Sequence, residues 1–483
     1  TGTTVATHLT RETLYDALNR PILTTETFAG GPTPYTKESA YNDTAGGHAM
    51  ATKDARGFVT TTKLDDLSRA YETVVDDDSA SLLTRTPDDA RAGSALNLPS
   101  RVTFDVLGNA AILEDALLRR TTSTFDALGR MRARSLPLQV TESWTYTATG
   151  AVLTATDRRG VRRDKKYDAL GRETKSLLVE SGGTPLTMLT RSYVDAPVDL
   201  LWKVEETDAA GSTTTRFQDA LGRVVRVEDA VRPTPNVTQL RYDARVQRRT
   251  KDAKGYVTET DTDAVYRPKE VREFDVGAGA TAFKYRRTTS YLDAARTETA
   301  TDARGTPTVL ERDGLGRLTK RTRGSGALLQ VDSSTFNAGG QEVLHADANH
   351  TAANPHQVQW VYDGAGRKLQ ETKAFGAVDA ATWKHSYDAV GNLTATKGPR
   401  TAGATPDVQT TYDGLNRAVR VEDALGHVTF RAYDEAGHLL CEKTPNGDTA
   451  TNYVHGAAPS TLTAVNAAAC QAPMDIVTAK AIA

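Results

Sequence analysis

A six-residue phrase returns along this chain and limits what it can fold into. It reads YDALNR from Tyr15, YDALGR from Tyr167, YDGAGR from Tyr362, YDAVGN from Tyr387, YDGLNR from Tyr412 and YDEAGH from Tyr433. Phenylalanine takes the tyrosine's place in FDVLGN from Phe104 and FDALGR from Phe125. Phe104, Phe125, Tyr146 and Tyr167 follow one another at 21 residues, and Tyr362, Tyr387 and Tyr412 at 25. Self-similarity at such a period means stacked units, each too small to bury its apolar side alone. With weaker copies included, about twenty units run from Tyr15 to Tyr453.

A second D-x-x-G signal lies between the anchors, at Asp54–Gly57, Asp157–Gly160, Asp208–Gly211, Asp252–Gly255, Asp302–Gly305 and Asp423–Gly426. Ten residues after each first aspartate comes an anchor position, held by Leu64, Tyr167, Gln218, Thr262, Arg312 and Tyr433 in turn. The constant interval identifies units whose aromatic has been lost.

Turn chemistry explains the phrase. The aspartates (Asp16, Asp105, Asp126, Asp168, Asp363, Asp388, Asp413, Asp434) accept hydrogen bonds from their own turn's backbone. The glycines (Gly129, Gly171, Gly222, Gly366, Gly391, Gly437) supply the positive φ that follows a type I turn in a bulged hairpin. Asn19 and Asn416, the next best residues for that conformation, replace glycine twice. Between turns, Val419 and Val421 alternate with charged residues in the strand manner. The prediction is an all-β array of tandem antiparallel hairpins, with strands of five to nine residues and almost no helix before Pro459. The anchor aromatics are expected to stack from unit to unit. Because Asp and Arg (Arg172 among them) recur with every unit, they read as turn residues rather than catalysts. Open sheets of this length curl, so the ribbon is expected to coil into a spiral wall.

Composition fits a thin sheet. The apolar fraction is 39%, below that of chains with a thick closed core. Net charge is −2, with 59 basic and 61 acidic residues, which gives no reason to expect nucleic acid. Cys441 and Cys470 are the two cysteines and make no disulfide framework. No long apolar run suits a membrane-spanning helix. With neither an initiator Met nor a signal peptide, the chain is expected to be a piece of a longer polypeptide. Residues 1–456 are assigned to the repeat array and 457–483 to an Ala-rich tail.

Other candidates are outweighed by plainer readings. Gly277 to Ala282 mimics a dinucleotide loop but falls in a long turn between repeats. His345, His350 and His356 with Asp347 lack common zinc spacings and suit a solvated loop. Asp76, Asp77 and Asp78 lack the pattern of a calcium loop and read as exposed. Trp144, Trp202, Trp360 and Trp383 read as packing before a sugar or peptide groove. No catalytic, cofactor or metal residues are assigned.

YDxxGR with both turn signals in phase resembles the Rhs/YD-repeat family, over residues 11 to 456. That family includes bacterial Rhs polymorphic toxins, cocoon-forming subunits of Tc insecticidal toxins, wall-associated contact toxins and teneurins. The resemblance implies a hollow shell that encloses a C-terminal toxin, in a protein exported from a bacterium. It implies further shell sequence or a partner shell chain, an enclosed toxin domain and a secretion or injection apparatus as partners. An adhesive or carbohydrate-binding surface is the alternative it offers. The family's D-P-x-G-L closing motif is missing, since no Asp-Pro dipeptide occurs. The self-cleaving plug and toxin domain are therefore expected beyond Ala483 or not at all.

Overall fold

The computed structural model describes residues 10–27, 35–44, 47–79, 82–180, 183–198, 201–229, 236–243, 246–277, 283–399, 405–435, 437–443 and 449–451. These form 37 β-strands and four 3-10 turns of three residues each. The tail from 457 to 483, Tyr453, Cys470 and the stretch from Ala278 to Ala282 lie outside the described residues. Two compact units are present, residues 1–143 with 332–483, and residues 144–331.

The first unit contains two runs of hairpins. In one, each strand from Thr10–Tyr15 to Met131–Ser135 pairs antiparallel with its sequence neighbour. In the other, the same holds from Glu342–Ala346 to Thr449–Thr451. The second unit is a single run, from Val152–Thr156 to Leu318–Arg323.

Cross-strand chemistry holds the pairs in register. Threonine hydroxyls meet across strands at 2.9 Å for Thr207 and Thr213 and 3.0 Å for Thr372 and Thr382. Cations stand opposite carboxylates, as with Arg101 and Glu114, Arg191 and Glu206, and Arg431 and Glu442. Three strands exceed the expected length: Tyr35–Thr44 and Phe283–Leu292 have 10 residues and Leu186–Val198 has 13. In the last case the register breaks after Val194 opposite Lys203 and pairing resumes at Val198 opposite Leu201.

Few apolar side chains are buried, as a single sheet layer dictates. In the first unit Ala51, Phe58, Val59, Ala92 and Val361 are buried, and in the second Phe217, Val257 and Phe274.

Candidate functional surface

The repeated turn has one geometry. At Asp168, the Arg172 carbonyl accepts from the Asp168 N–H at 3.0 Å, and the Asp168 carbonyl accepts from the Gly171 N–H at 3.0 Å. The carboxylate does three things at once. Its Oδ1 accepts from the N–H groups of Leu170 and Arg172, and its Oδ2 accepts from Arg172 Nε at 2.7 Å. A register shift between Lys166 and Tyr167 marks the bulge. Gly171 and Gly222 have φ of +78° and +75°, and Asn19 and Asn416 have +60° and +63°.

The same bonds recur at Asp16, Asp65, Asp126, Asp219, Asp263 and Asp313. They hold several of these carboxyls below the usual carboxylate range. At Asp16 the backbone N–H of Arg20 contributes most, and at Asp65 the Arg69 side chain. At Asp168 burial pushes upward most strongly and is outweighed by the bonds from Arg172. Three turns keep this chemistry without Gly or Asn: Ser68, Leu118 and Tyr266 occupy the left-handed position with φ of 60°, 61° and 67°. The aspartate four residues before an arginine is what survives in them.

The arginine also joins one unit to the next. The guanidinium of Arg172 lies 4.2 Å from the ring centre of Tyr193, whose hydroxyl donates to the Glu173 carbonyl at 2.9 Å. Arg20 with Tyr41, Arg223 with Tyr242, Arg267 with Tyr291, Arg367 with Tyr387 and Arg417 with Tyr433 repeat the arrangement. In each, the tyrosine hydroxyl donates to the carbonyl just after that arginine. Phe104 receives Arg69 at 4.3 Å without the hydroxyl bond. Aromatic stacking from ring to ring is therefore corrected: these contacts alternate guanidinium and ring, because the turn's Asp–Arg pair already fixes a flat cation at that position. Most anchors are half-buried, among them Phe125, Tyr362, Tyr387, Tyr412 and Tyr433, whereas Tyr15 is exposed.

Within the first unit the two runs meet through turns. Arg56 donates to Gln341 Oε1 at 3.0 Å and to the Asp363 carbonyl at 3.3 Å, across 285 and 307 residues of chain. Arg119 donates to the Gly414 carbonyl and to Asn416 Oδ1. Asp363 is fully buried, and so is Asp76, which pairs with Arg85 at 2.5 Å. The acidic run is thus no exposed loop at its first two positions. Asp76 also accepts from the Leu96 N–H, and buried Asp77 caps Ser79, while Asp78 alone stays exposed. These carboxylates serve the local backbone and the run-to-run contact, so burial costs them no bonds.

A crevice of about 490 Å³ opens beside this contact, lined by Arg56, Asp88, Arg91, Gln359, Trp360 and Tyr362. Burial is the chief cause of a raised Asp88 pKa. Trp360 is the one of the four tryptophans at this crevice, and its indole N–H is satisfied by Glu371 at 3.1 Å. Trp383 carries Lys373 over its ring, Trp202 is partly exposed and Trp144 lies in the second unit. The histidines make local bonds, His345 to Ser334 and Glu342, and His350 to the His356 backbone. Among the described residues no group of His, Cys, Asp and Glu is arranged to hold a metal ion, and no helix is long and apolar enough to cross a membrane.

No family model matches the chain, and no curated protein matches it in sequence. Solved structures do. A crystal structure of TcdB2-TccC3 aligns with a TM-score of 0.70 at 14% identity, over 93% of this chain and 25% of that one. This chain has the β-hairpin repeat fold of TcdB2-TccC3. A second crystal structure, of TcdB2-TccC3 without its hypervariable C-terminal region, aligns at 0.65 with 13% identity, over 93% of this chain and 25% of that one. A Photorhabdus luminescens Tc holotoxin pore aligns at 0.53 with 14% identity, over 89% of this chain and 27% of that one. The chain therefore spans about a quarter of the length of these toxin chains.

Proposed function

We propose that the chain is a segment of shell wall in a secreted bacterial toxin of the Rhs/Tc type, whose full shell encloses a C-terminal effector. The observation that carries this reading is the match of its repeat fold to TcdB2-TccC3 over 93% of its length. The solved relatives include one described as lacking a hypervariable C-terminal region and one described as a holotoxin pore. On this reading the partners are further shell repeats or a second shell chain, the enclosed domain and a delivery apparatus, and the place of action is outside the producing cell. The wall itself has a structural role. The turn carboxylates are engaged by their own backbone and arginine, which suits scaffolding and leaves them poorly placed for proton transfer.

Limited proteolysis of the intact parent protein tests the proposal. Sequence C-terminal to the repeats should resist a protease that readily cuts it once the repeats are unfolded by mild denaturant. Equal cleavage with the repeats folded and unfolded would show that nothing is enclosed.

A further inference from the structure

The second unit carries a patch where the rule of charge pairing breaks. At several other places an arginine stands directly opposite a carboxylate, as Arg11 does with Glu26 and Arg134 with Glu142. In the patch Arg241 stands opposite Arg249, and Arg272 opposite Arg286. Like charges directly opposite are destabilising. Glu259 lies between the two pairs, opposite Arg249 on one side and Arg272 on the other. Residues directly opposite share a face, so one row reads cation, cation, anion, cation, cation across five strands.

The four cations of the row outnumber the carboxylates they meet, which are Glu259, Asp261 and Glu270. Arg241 has no ion-pair partner among the described residues, and Arg249 reaches Glu259 only at 3.5 Å. Arg272 meets Asp261 at 2.9 Å, with which Arg248 also pairs, and lies 3.5 Å from Glu259 and 3.8 Å from Glu270, while Arg286 is held by Glu270 at 2.9 Å. Arg241, Arg248, Arg249 and Arg272, with Glu259 and Asp261, surround a hollow of about 440 Å³.

We propose that this face binds an acidic peptide segment in polyproline II conformation, its carboxylates seated on the two arginine pairs. Guanidinium groups suit carboxylates, which they grip with two parallel bonds. Glu259 decides against a compact multivalent anion, because it occupies the centre where such an ion would sit. Arg249 and Arg272 are two strands apart, roughly 10 Å, which is also about the rise of one three-residue turn of a polyproline II helix, where side chains three apart lie on one face. A peptide with acids at every third residue meets both pairs and clears Glu259.

The test uses the full chain and a fluorescent peptide with glutamate at every third residue, read by polarisation at low salt. The same peptide with glutamine in those positions is the reference. The glutamate peptide should bind and the glutamine peptide should not. Arg241→Gln and Arg249→Gln should each weaken binding by about tenfold, while Arg101→Gln, between Glu72 and Glu114 in the first unit, should leave it unchanged. Unaltered strand signal in circular dichroism shows that the variants fold. Equal binding of the two peptides, or binding indifferent to both substitutions in the patch, would overturn the proposal. So would tighter binding of pyrophosphate that displaces the peptide, since that would assign the site to a compact anion.

Discussion

The turns at Asp168–Arg172 and Asp363–Arg367 have nearly the same sequence and share their main internal bonds, yet one is open and the other covered. In both, the aspartate accepts from the backbone and from Nε of its arginine at 2.7 Å. The Asp168 side chain is 24% exposed, whereas that of Asp363 is 1% exposed. The second turn position explains the difference. It is Ala169 in the open turn and Gly364 in the covered one, where an added Cβ would lie 2.3 Å from Asp76 Cγ. Gly414, in the turn seated on Leu138, repeats the pattern at 3.2 Å. The hydrogen bonds make the turn, and the second residue decides whether another run can lie against it.

The largest expected effect separates the two aspartates. Asp363→Ala leaves the Arg367 guanidinium, only 16% exposed in its side chain, without its carboxylate. Breaking a buried pair from one side costs about 3 kcal/mol or more. Asp168→Ala removes the same bonds where water can replace them, so its cost should be a small fraction of that. Hydrogen exchange at the turn amides and their neighbours measures both locally, as a repeat array requires. Equal costs would mean that coverage contributes nothing.

Next comes the glycine. Gly364→Ala forces Asp76 or the second run to move, with a cost of about 1–3 kcal/mol. Ala169→Gly, in the open turn, should lose well under 1 kcal/mol. Chemical unfolding followed at Trp360, near the contact, checks the first. If Gly364→Ala is as stable as the parent, the close approach is not what selects glycine there.

The hairpins and turns were legible because they are local. Gly171, Asn19 and the Asp–Arg spacing carry their conformations in five consecutive residues, and the strands follow from what lies between. Contacts across the two runs of the first unit were not. Arg56 and Gln341 are 285 residues apart, and a repeat pattern that looks alike in every unit carries no record of which units meet. The burial of Asp76 and Asp77 was missed for that reason, since three acids in succession ordinarily stay in water. A signal did exist. Glycine after the turn aspartate at Gly364 and Gly414, against alanine at Ala17, Ala127, Ala169 and Ala220, marks tips that need room. The ladder was half legible: the aromatic period was plain, but its partner is the arginine at the end of the preceding phrase.

A smaller effect sharpens the view of that ladder. Tyr387→Phe keeps the ring against Arg367 and removes the hydroxyl bond to the Lys368 carbonyl at 2.8 Å. The loss should be about 1 kcal/mol. Tyr15→Phe, at an anchor that is 55% exposed, should change stability by far less. Exchange at amides on both sides of each tyrosine reads the difference, and equal losses at the two anchors would detach the ladder from burial.

The smallest effect per site is the response of the open turns to acid. The carboxyls of Asp16, Asp65, Asp126, Asp168 and Asp219 are all held below the ordinary 3.8. A lowered folded pKa means that the unfolded chain takes up the proton first as pH falls, so acid favours unfolding. The stabilisation is complete above about pH 3.8 and disappears as pH falls through the lowered folded value. Neutral pH should therefore reveal nothing, and a descent below 3.8 should loosen the open turns together because they share one geometry. The amides of Leu170 and Arg172 donate to the Asp168 carboxylate and are the probes, since protonation weakens the acceptor. Their shifts should move in that acid range, and Asp168→Asn should abolish the movement while keeping an oxygen acceptor. High salt should shrink the part owed to Arg172 and spare the part owed to backbone bonds. A response centred above pH 3.8 would mean that these carboxyls are raised rather than lowered, and that the turn bonds do not hold the charge.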